Sequence, residues 1–229
     1  MKGAQLPLAV QLRDTANFDS YLAGPNAEAV QALRELRQPV LLYGPPGCGR
    51  THLLQAACRQ HGGSYLSLAD AAELGPGILD GYVRAPGVFL DDLDAVVDSR
   101  AWCIALLRLL DTLRTDDRRF ALSAAAGPER LDVVLGDLRT RLSQCLVLGL
   151  RPLDDAQRAQ LLRLRARMRG LDLPDEVIRW LLNTRSRDVN SLLEALELLD
   201  RGSLSARRRI TLPLAQALLV SADGRREPG

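Results

Sequence analysis

The stretch LLYGPPGCGRT, Leu41–Thr51, decides the fold because it has the frame of a phosphate-binding loop. Gly44 and Gly49 stand five positions apart, and Thr51 follows after one more residue, as in the pattern G-x-x-x-x-G-K-[S/T]. Glycines let backbone N–H groups turn towards phosphate oxygens, and the following helix adds positive potential. The predicted phosphate-binding residues are Gly44, Pro45, Pro46, Gly47, Cys48, Gly49, Arg50 and Thr51.

The loop departs from the pattern at Arg50, which stands where lysine is usual. Arginine keeps the positive charge, but it is larger and planar, and it follows a moving γ-phosphate less well than a lysine ammonium. The replacement partly reflects composition, since Lys2 is the only lysine and the other 29 basic residues are arginines. The loop is therefore predicted to hold a nucleotide rather than to turn it over quickly.

Short apolar runs alternate with helical patterns on both sides of the loop. The predicted strands are 39–43, 64–68, 87–92, 119–124 and 145–150. The predicted helices between them are 26–37, 51–61, 69–74, 99–114 and 137–142. This alternation predicts an α/β domain with a five-stranded parallel sheet that is covered on both faces.

The pattern becomes helical after residue 150. Three helices are predicted over 154–169, 174–184 and 188–201, and a fourth element over 211–220. Pro152 and Pro174 mark boundaries between these segments. The last residues, 221–229, are predicted to be a disordered tail.

Composition excludes several classes of protein. A net charge of +2 does not by itself call for nucleic acid. The four cysteines lie far apart without a C-x-x-C pair, which argues against zinc or disulfide frameworks and favours a reduced, cytoplasmic protein. No segment reaches about 18 consecutive apolar residues, so no membrane-spanning segment is expected.

The stretch GVFLDDLD ends a predicted strand with Asp91 and Asp92. One carboxylate here would orient the Mg²⁺ shell together with the Thr51 hydroxyl, and its neighbour would polarise a water. A solvent-facing acidic strand end is the alternative. The P-loop about 40 residues upstream favours the metal role.

Three stretches, NFDSYLAGPNAEAVQALREL, LLYGPPGCGRTHLLQAA and VFLDDLDAV, resemble in order and spacing the AAA+ core of the DnaA family. The resemblance covers residues 13–220, without the helix-turn-helix domain that follows this core in DnaA. It is therefore nearest to the short Hda-type members, which inactivate the initiator. The resemblance implies an extended clamp-binding peptide over 1–12, a nucleotide-binding domain over 13–150 and a helical lid domain over 151–220.

The hexapeptide QLPLAV, residues 5–10, resembles the peptide with which Hda-type proteins bind the DNA polymerase sliding clamp, its β subunit. Gln5 would hydrogen-bond at the rim of a pocket that Leu6 and Leu8 fill. An N-terminal strand is the alternative.

The resemblance also implies an arginine finger at Arg141 in DLRTRL, which would act in trans on the nucleotide of another subunit. Such a finger is expected to lack a partner until that subunit docks. Without the family context, an arginine that caps a helix C-terminus is the favoured interpretation. The neighbouring Arg139 is interpreted as structural.

Two further positions depart from the family pattern. Alanines 124–126 stand where a polar sensor-1 residue is expected, and Asn190 stands where the lid arginine falls, with Arg187 one turn earlier. Arg187 and Asn190 are the candidate lid contacts. Together with Arg50, these departures argue against an efficient ATPase.

The resemblance, together with these departures, implies a regulator of replication initiation that binds ADP, or ATP, with Mg²⁺. It would bind the sliding clamp and stimulate ATP hydrolysis by DnaA, with at most weak ATPase activity of its own. Clamp binding would associate it with the nucleoid, DNA contact would be indirect or weak, and a homodimer is left open. The alternatives are a helicase-loader-type ATPase and a nucleotide-free scaffold with a degenerate P-loop.

Overall fold

The computed structural model of the protein describes residues 16–184, 188–206 and 209–223. The chain forms two compact units that divide between Pro152 and Leu153, two residues after the sequence-based boundary at 150. Within the described residues, no helix combines the length and the apolar character needed to cross a bilayer.

The first unit contains a five-stranded parallel sheet. Its strands are β1 (Val40–Tyr43), β2 (Ser64–Ser67), β3 (Gly87–Asp91), β4 (Arg119–Ala124) and β5 (Leu146–Gly149). Their spatial order is β2-β3-β4-β1-β5, and every neighbouring pair is parallel. All five predicted strands are confirmed. Because β1 lies between β4 and β5, the loop that follows it opens at the carboxyl edge inside the sheet, where α/β proteins bind ligands.

Helices cover both faces of this sheet. They are α1 (Ala27–Glu35), α2 (Arg50–His61), α3 (Leu68–Ala71), α4 (Arg100–Thr115) and α5 (Gly136–Ser143). Successive strand residues point to opposite faces: in β3, Val88 and Leu90 join one apolar cluster with α4 and α5, and Phe89 joins the other with α1 and α2. The prediction of a sheet covered on both sides is confirmed.

Several connections are 3₁₀ turns rather than regular helices. They span Phe18–Ser20, Gly24–Asn26, Ala72–Leu74, Pro76–Tyr82 and Leu93–Ala95. The predicted helix 69–74 is therefore a short α-helix that continues as a 3₁₀ turn. Gly75, at φ 79°, and Pro76 end that segment, because glycine adopts left-handed conformations and proline cannot continue a helix.

The second unit is helical, with α6 (Asp155–Met168), α7 (Asp175–Thr184), α8 (Val189–Ala206) and α9 (Leu212–Asp223). Asp154 caps α6 and forms a capping box with Gln157. The three predicted helices and the fourth element are all present. The tail prediction is wrong for residues 221–223, which continue α9, because Ala215 and Leu219 bury this helix in the apolar core of the unit. Residues 224–229 lie outside the described residues.

Candidate nucleotide-binding site

The loop between β1 and α2 adopts a conformation that depends on its glycines. Gly47 and Gly49 have φ values of 78° and 95°, in the left-handed region that side chains disfavour. Gly44 lies close to the end of β5, and a Cβ at this position would stand 2.8 Å from the Leu150 carbonyl oxygen. Within the loop, the Cys48 N–H donates to the Pro45 carbonyl at 3.3 Å. The backbone is thus folded into a tight turn directly before the helix.

The first turn of α2 supplies backbone donors next to this turn. The helical hydrogen-bond pattern begins with the Leu53 N–H, which donates to the Gly49 carbonyl at 3.0 Å. The N–H groups of Arg50 and Thr51 precede it and have no acceptor within the helix. N–H groups at a helix N-terminus, behind a glycine-rich turn, are the usual arrangement for binding a phosphate.

The Arg50 side chain lies beside the loop and is only 13% exposed. Its Nη2 lies 3.5 Å from Asp92 Oδ1, and its Nη1 is buried and has no hydrogen-bond partner among the described residues. An unpaired buried donor is unfavourable by about 1–3 kcal/mol, and more when it is charged. An anion with acceptor oxygens at this point would remove that penalty. The site therefore fits a nucleotide phosphate.

Tyr21 braces the loop from the N-terminal segment. Its hydroxyl donates to the Cys48 carbonyl at 3.0 Å, and a Cβ at Gly49 would come within 2.5 Å of its ring. Burial raises the pKa of Tyr21 to about 12, so the hydroxyl remains a donor at neutral pH. The His52 ring lies next to it, 5.6 Å between ring centroids, and its Nε2 is 2.9 Å from the Asn17 carbonyl. The segment before α1 thus fixes the outer side of the loop.

Asn26 connects this segment to the end of the first unit. Its Nδ2 donates to the Tyr21 hydroxyl at 3.0 Å and to the Arg151 carbonyl at 2.9 Å, and its Oδ1 accepts from the Arg151 N–H at 2.8 Å. Sequence reasoning missed this role. An asparagine before a helix is typical of an N-cap, but Asn26 makes no capping hydrogen bond to α1.

Replacement of Asn26 by alanine is expected to destabilise the first unit by roughly 2–4 kcal/mol, because it removes the three hydrogen bonds of a buried side chain at once. The melting temperature should fall by roughly 5–12 °C, measured by differential scanning calorimetry. Gln31→Ala on α1 removes an exposed side-chain hydrogen bond and is the matched control, with almost no expected effect. Equal melting temperatures for the two variants would show that Asn26 does not brace the loop.

The two acids at the end of β3 occupy different environments. Asp91 is fully buried, and its carboxylate accepts hydrogen bonds from the Tyr65 hydroxyl at 2.8 Å and from the Ser123 hydroxyl. Asp92 lies beside Arg50 and is 30% exposed. Burial, followed by the nearby charge of Asp91, raises the pKa of the Asp92 carboxyl above its usual value.

The predicted metal-binding set is thus brought together only in part. Thr51 is half-buried at the second position of α2, and Asp92 faces Arg50 at the start of that helix, whereas Asp91 is held inside the sheet. Among the described residues, no group of three or more His, Cys, Asp or Glu side chains is arranged to hold a metal ion.

Ser123 is a polar residue at this edge that sequence reasoning did not single out. It is the fifth residue of β4, directly before the three alanines at the expected sensor-1 position. Its hydroxyl donates to Asp91 and accepts from the Asp92 N–H at 3.1 Å. Although residues 124–126 are alanines, Ser123 therefore still provides one hydroxyl group at the carboxyl end of β4.

Arg141 lies on α5 with its side chain 38% exposed. Its Nε is 2.6 Å from Asp111 Oδ1, and its Nη1 is 3.2 Å from Gln144 Oε1. The expectation that this side chain has no partner is wrong, because Asp111 on the neighbouring α4 is within reach. Arg139 donates to the Val133 carbonyl at 3.1 Å, which is a structural contact.

The remaining predicted site residues lie either outside the described residues or in the second unit. Gln5, Leu6, Leu8 and Arg187 lie outside the described residues. Asn190 is exposed at the second position of α8, in the second unit.

Two family models match the chain in the order of its two units. Residues 40–150 match the model of the ATPase family associated with various cellular activities (AAA), and residues 155–219 match the model of the Hda lid domain. The first match contains the P-loop, both acids and Arg141. The second covers α6 to α8 and most of α9.

Solved structures with the same fold include domain III of the Thermotoga maritima replication initiation protein DnaA. It has a TM-score of 0.76 and 20% identity, over 93% of this chain and 98% of that chain. AMPPCP-bound DnaA from Aquifex aeolicus has a TM-score of 0.66 and 23% identity, over 82% of this chain and 66% of that chain. The Thermotoga maritima RuvB Holliday junction branch migration motor has a TM-score of 0.66 and 15% identity, over 92% of this chain and 72% of that chain. Identities this low establish the fold alone.

Proposed function

We propose a regulatory role for this chain, which belongs to the DnaA-like AAA+ proteins and is close to Hda. It is a DnaA-related replication protein. In the proposed role it holds an adenine nucleotide, ADP in the first place, and stimulates ATP hydrolysis by DnaA through Arg141. The nucleotide bound to this chain serves to keep it in an interacting form.

The buried, unpaired Nη1 of Arg50 beside the glycine-rich turn is the observation that carries the nucleotide proposal. The turn 44–49 and the first N–H groups of α2 would bind phosphate oxygens, and Arg50 would add its charge. Mg²⁺ bound with the nucleotide would offset part of the phosphate charge. The Thr51 hydroxyl and the carboxylates of Asp91 and Asp92 are the groups of this chain that would orient it.

Slow turnover by the chain itself is supported by its own residues. Arg50 lies 3.5 Å from the Asp92 carboxylate, and this negative neighbour offsets part of the positive charge that would stabilise a developing γ-phosphoryl charge. Beyond Ser123 the carboxyl end of β4 carries only alanines. The lid contacts Arg187 and Asn190 remain part of the proposal.

Arg141 is the group of this chain proposed to act on DnaA. Its guanidinium is partly exposed on α5 and held by Asp111, an ion pair between half-exposed groups that water and a competing anion can open. When the protein docks against ATP-bound DnaA, the Arg141 guanidinium would leave Asp111 and bind the γ-phosphoryl oxygens of the ATP. An arginine at this position stabilises charge that is largest in the transition state.

Clamp binding rests on the sequence QLPLAV alone, since residues 1–15 lie outside the described residues. We expect the double variant Gln5→Ala/Leu6→Ala to lose at least 2 kcal/mol of binding free energy for the sliding clamp, because it removes the rim hydrogen bond and an apolar anchor. Surface plasmon resonance on immobilised clamp measures this change as a roughly 30-fold weaker Kd.

The chain offers a matched control for this test. Gln11→Ala/Leu12→Ala changes the same two residue types just after the hexapeptide and should leave the clamp affinity unchanged. Equal affinities for both double variants would contradict the assignment of residues 5–8.

The function is tested by release of phosphate from ATP-loaded DnaA, with this protein and with or without clamp loaded on DNA. Stimulation that requires the clamp supports the proposal. Rapid ATP turnover by the chain alone, at about 1 s⁻¹ or faster, would instead identify a helicase-loader-type ATPase. Absence of ADP and ATP binding at millimolar ligand would identify a nucleotide-free scaffold.

A further inference from the structure

We propose that Tyr65 is a positioning residue of the nucleotide site: its hydroxyl holds the Asp91 carboxylate in the orientation that serves Mg²⁺ and the bound nucleotide. Ser123 holds the same carboxylate from the opposite side. The sequence motifs point to Asp91 and Thr51, but they give no role to the side chains behind them. This inference rests on the proposed nucleotide binding and deepens it, because it names the residues that keep the metal-binding groups in place.

Tyr65 lies on β2 and reaches Asp91 across the neighbouring strand β3. The register pairs Tyr65 with Phe89, and both belong to the apolar cluster that α2 covers. Asp91 follows Phe89 by two residues, so it lies on the same face of β3. The buried Tyr65 hydroxyl donates to Asp91 Oδ2 at 2.8 Å. The contact is a diagonal one between paired strands, within the reach of an aromatic side chain.

Gln55 sets the direction of this hydrogen bond. Burial and the negative charge of Asp91 raise the pKa of the Tyr65 hydroxyl, so it keeps its proton at neutral pH. The buried Gln55 side chain opposes this rise, as a hydrogen-bond donor to the phenol oxygen does. The Tyr65 oxygen therefore accepts from Gln55, and its proton is directed to Asp91.

Gln55 also connects the contact to the phosphate loop. It stands four residues after Thr51 on α2, so the two side chains lie on one face of the helix. Thr51 supplies the hydroxyl predicted to bind Mg²⁺, and Asp91 a carboxylate predicted to orient its shell. Tyr65 thus links the helix that carries one group to the strand that carries the other. Mg²⁺ demands nearly ideal octahedral geometry, with ligands at about 2.0–2.1 Å, so their relative placement matters.

Ser123 restrains the same acid from β4. Its hydroxyl donates to Asp91 Oδ1, and its oxygen accepts from the Asp92 N–H at 3.1 Å. Each carboxylate oxygen of Asp91 therefore receives one hydroxyl donor, from a strand on either side of β3. A carboxylate has about four lone-pair sites, so these two bonds fix its plane and leave sites for Mg²⁺ or a metal-bound water.

The charge of Asp91 acts on the phosphate loop although the side chain is fully buried. Burial raises the pKa of the Cys48 thiol in the loop, and the negative charge of Asp91 adds to that rise. Burial likewise raises the pKa of the Asp92 carboxyl, again with a contribution from Asp91. The two hydroxyl groups satisfy the oxygens of Asp91 but bring no positive charge, which Mg²⁺ would supply.

Calorimetric titration with a non-hydrolysable ATP analogue, in Mg²⁺ and in EDTA, tests this role. The Mg²⁺ gain is the ratio of the Kd in EDTA to the Kd in Mg²⁺. Tyr65→Phe keeps the ring and removes the hydroxyl, so it should lower the Mg²⁺ gain by about five-fold or more, because one oxygen of Asp91 is released. The Kd in EDTA should stay within about two-fold of wild type, because the phosphate loop is unchanged.

Tyr82→Phe is the matched control. Tyr82 is also buried, but it belongs to the apolar cluster on the other face of the sheet. The substitution removes the same hydroxyl far from the acids, so the Mg²⁺ gain should equal that of wild type.

Two variants of Ser123 separate positioning from general stability. Ser123→Ala should lower the Mg²⁺ gain as Tyr65→Phe does, and Ser123→Thr, which keeps the hydroxyl, should retain the gain. A purely structural role would lower the melting temperature of Ser123→Ala and leave the gain at the wild-type value.

A Tyr65→Phe variant with the wild-type Mg²⁺ gain, or an equal loss in Tyr82→Phe, would overturn the positioning role while leaving nucleotide binding intact. Equal binding of the analogue by wild type in Mg²⁺ and in EDTA would also overturn it. Absence of binding by wild type in both conditions would instead refute the proposed nucleotide site, and this inference with it.

Discussion

Arg141→Ala is expected to lower the stimulated rate of ATP hydrolysis by DnaA by about 10³-fold or more, the usual contribution of an arginine finger. The contact forms chiefly in the transition state, so the variant should bind ATP-loaded DnaA nearly as well as wild type and fail in the chemical step. Single-turnover phosphate release at saturating protein separates the two effects. The affinity for ADP and for the clamp should not change.

The fold should tolerate this substitution. The ion pair of Arg141 with Asp111 joins two side chains that are 38% and 44% exposed, and such pairs contribute about 0–1 kcal/mol. The melting temperature should therefore fall by no more than about 4 °C. A larger drop would indicate that Arg141 is a structural residue of α5.

Two neighbours of Arg141 provide controls. Asp111→Ala removes the resting partner while leaving the guanidinium, so stimulation should be unchanged or higher. Arg139→Ala removes a donor to the Val133 carbonyl, and it should lower stability with little effect on stimulation. Normal stimulation by Arg141→Ala, or loss of it in Arg139→Ala instead, would refute the assignment of the finger.

The fold was predictable because its strands are buried on both faces. Runs such as VLLY in β1 and VFLD in β3 are almost wholly apolar, as central parallel strands require, and the P-loop fixed where β1 ends. Capping signals were equally local: Asp154 and Gln157 mark the start of α6. Helix ends were less predictable, because buried residues such as Leu219 extend α9 beyond the point where its sequence turns polar.

The arrangement around the loop was less predictable, since it depends on contacts between distant segments. Asn26 bonds a backbone 125 residues away, and Ser123 bonds Asp91 from 32 residues away. Spacing within the sequence carries no signal for either contact. The two adjacent acids were expected to act together, and only the pairing of β3 with β4 and β2 shows that Asp91 is enclosed.

Gly49→Val is expected to abolish nucleotide binding, raising the Kd for ADP by about 100-fold or more in calorimetric titration. The backbone has φ 95° here, which a β-branched residue adopts only with strain. The new Cβ would also stand 2.5 Å from the Tyr21 ring. That ring cannot easily yield, because its hydroxyl is bonded to the Cys48 carbonyl and to Asn26. The loop itself must move, and with it the N–H groups that bind phosphate.

Gly62→Val, at the other end of the same helix, is the control that introduces backbone strain without a steric clash. Gly62 also has a positive φ, 71°, but a Cβ there meets nothing within 4 Å. Backbone strain should lower the free energy of unfolding of both variants by a comparable amount, about 1 kcal/mol or more. The affinity for ADP should fall only in Gly49→Val. Adding Tyr21→Ala to Gly49→Val should then recover part of the affinity by removing the collision. If Gly49→Val binds ADP as wild type does, or if Gly62→Val loses binding equally, the loop is not the phosphate site.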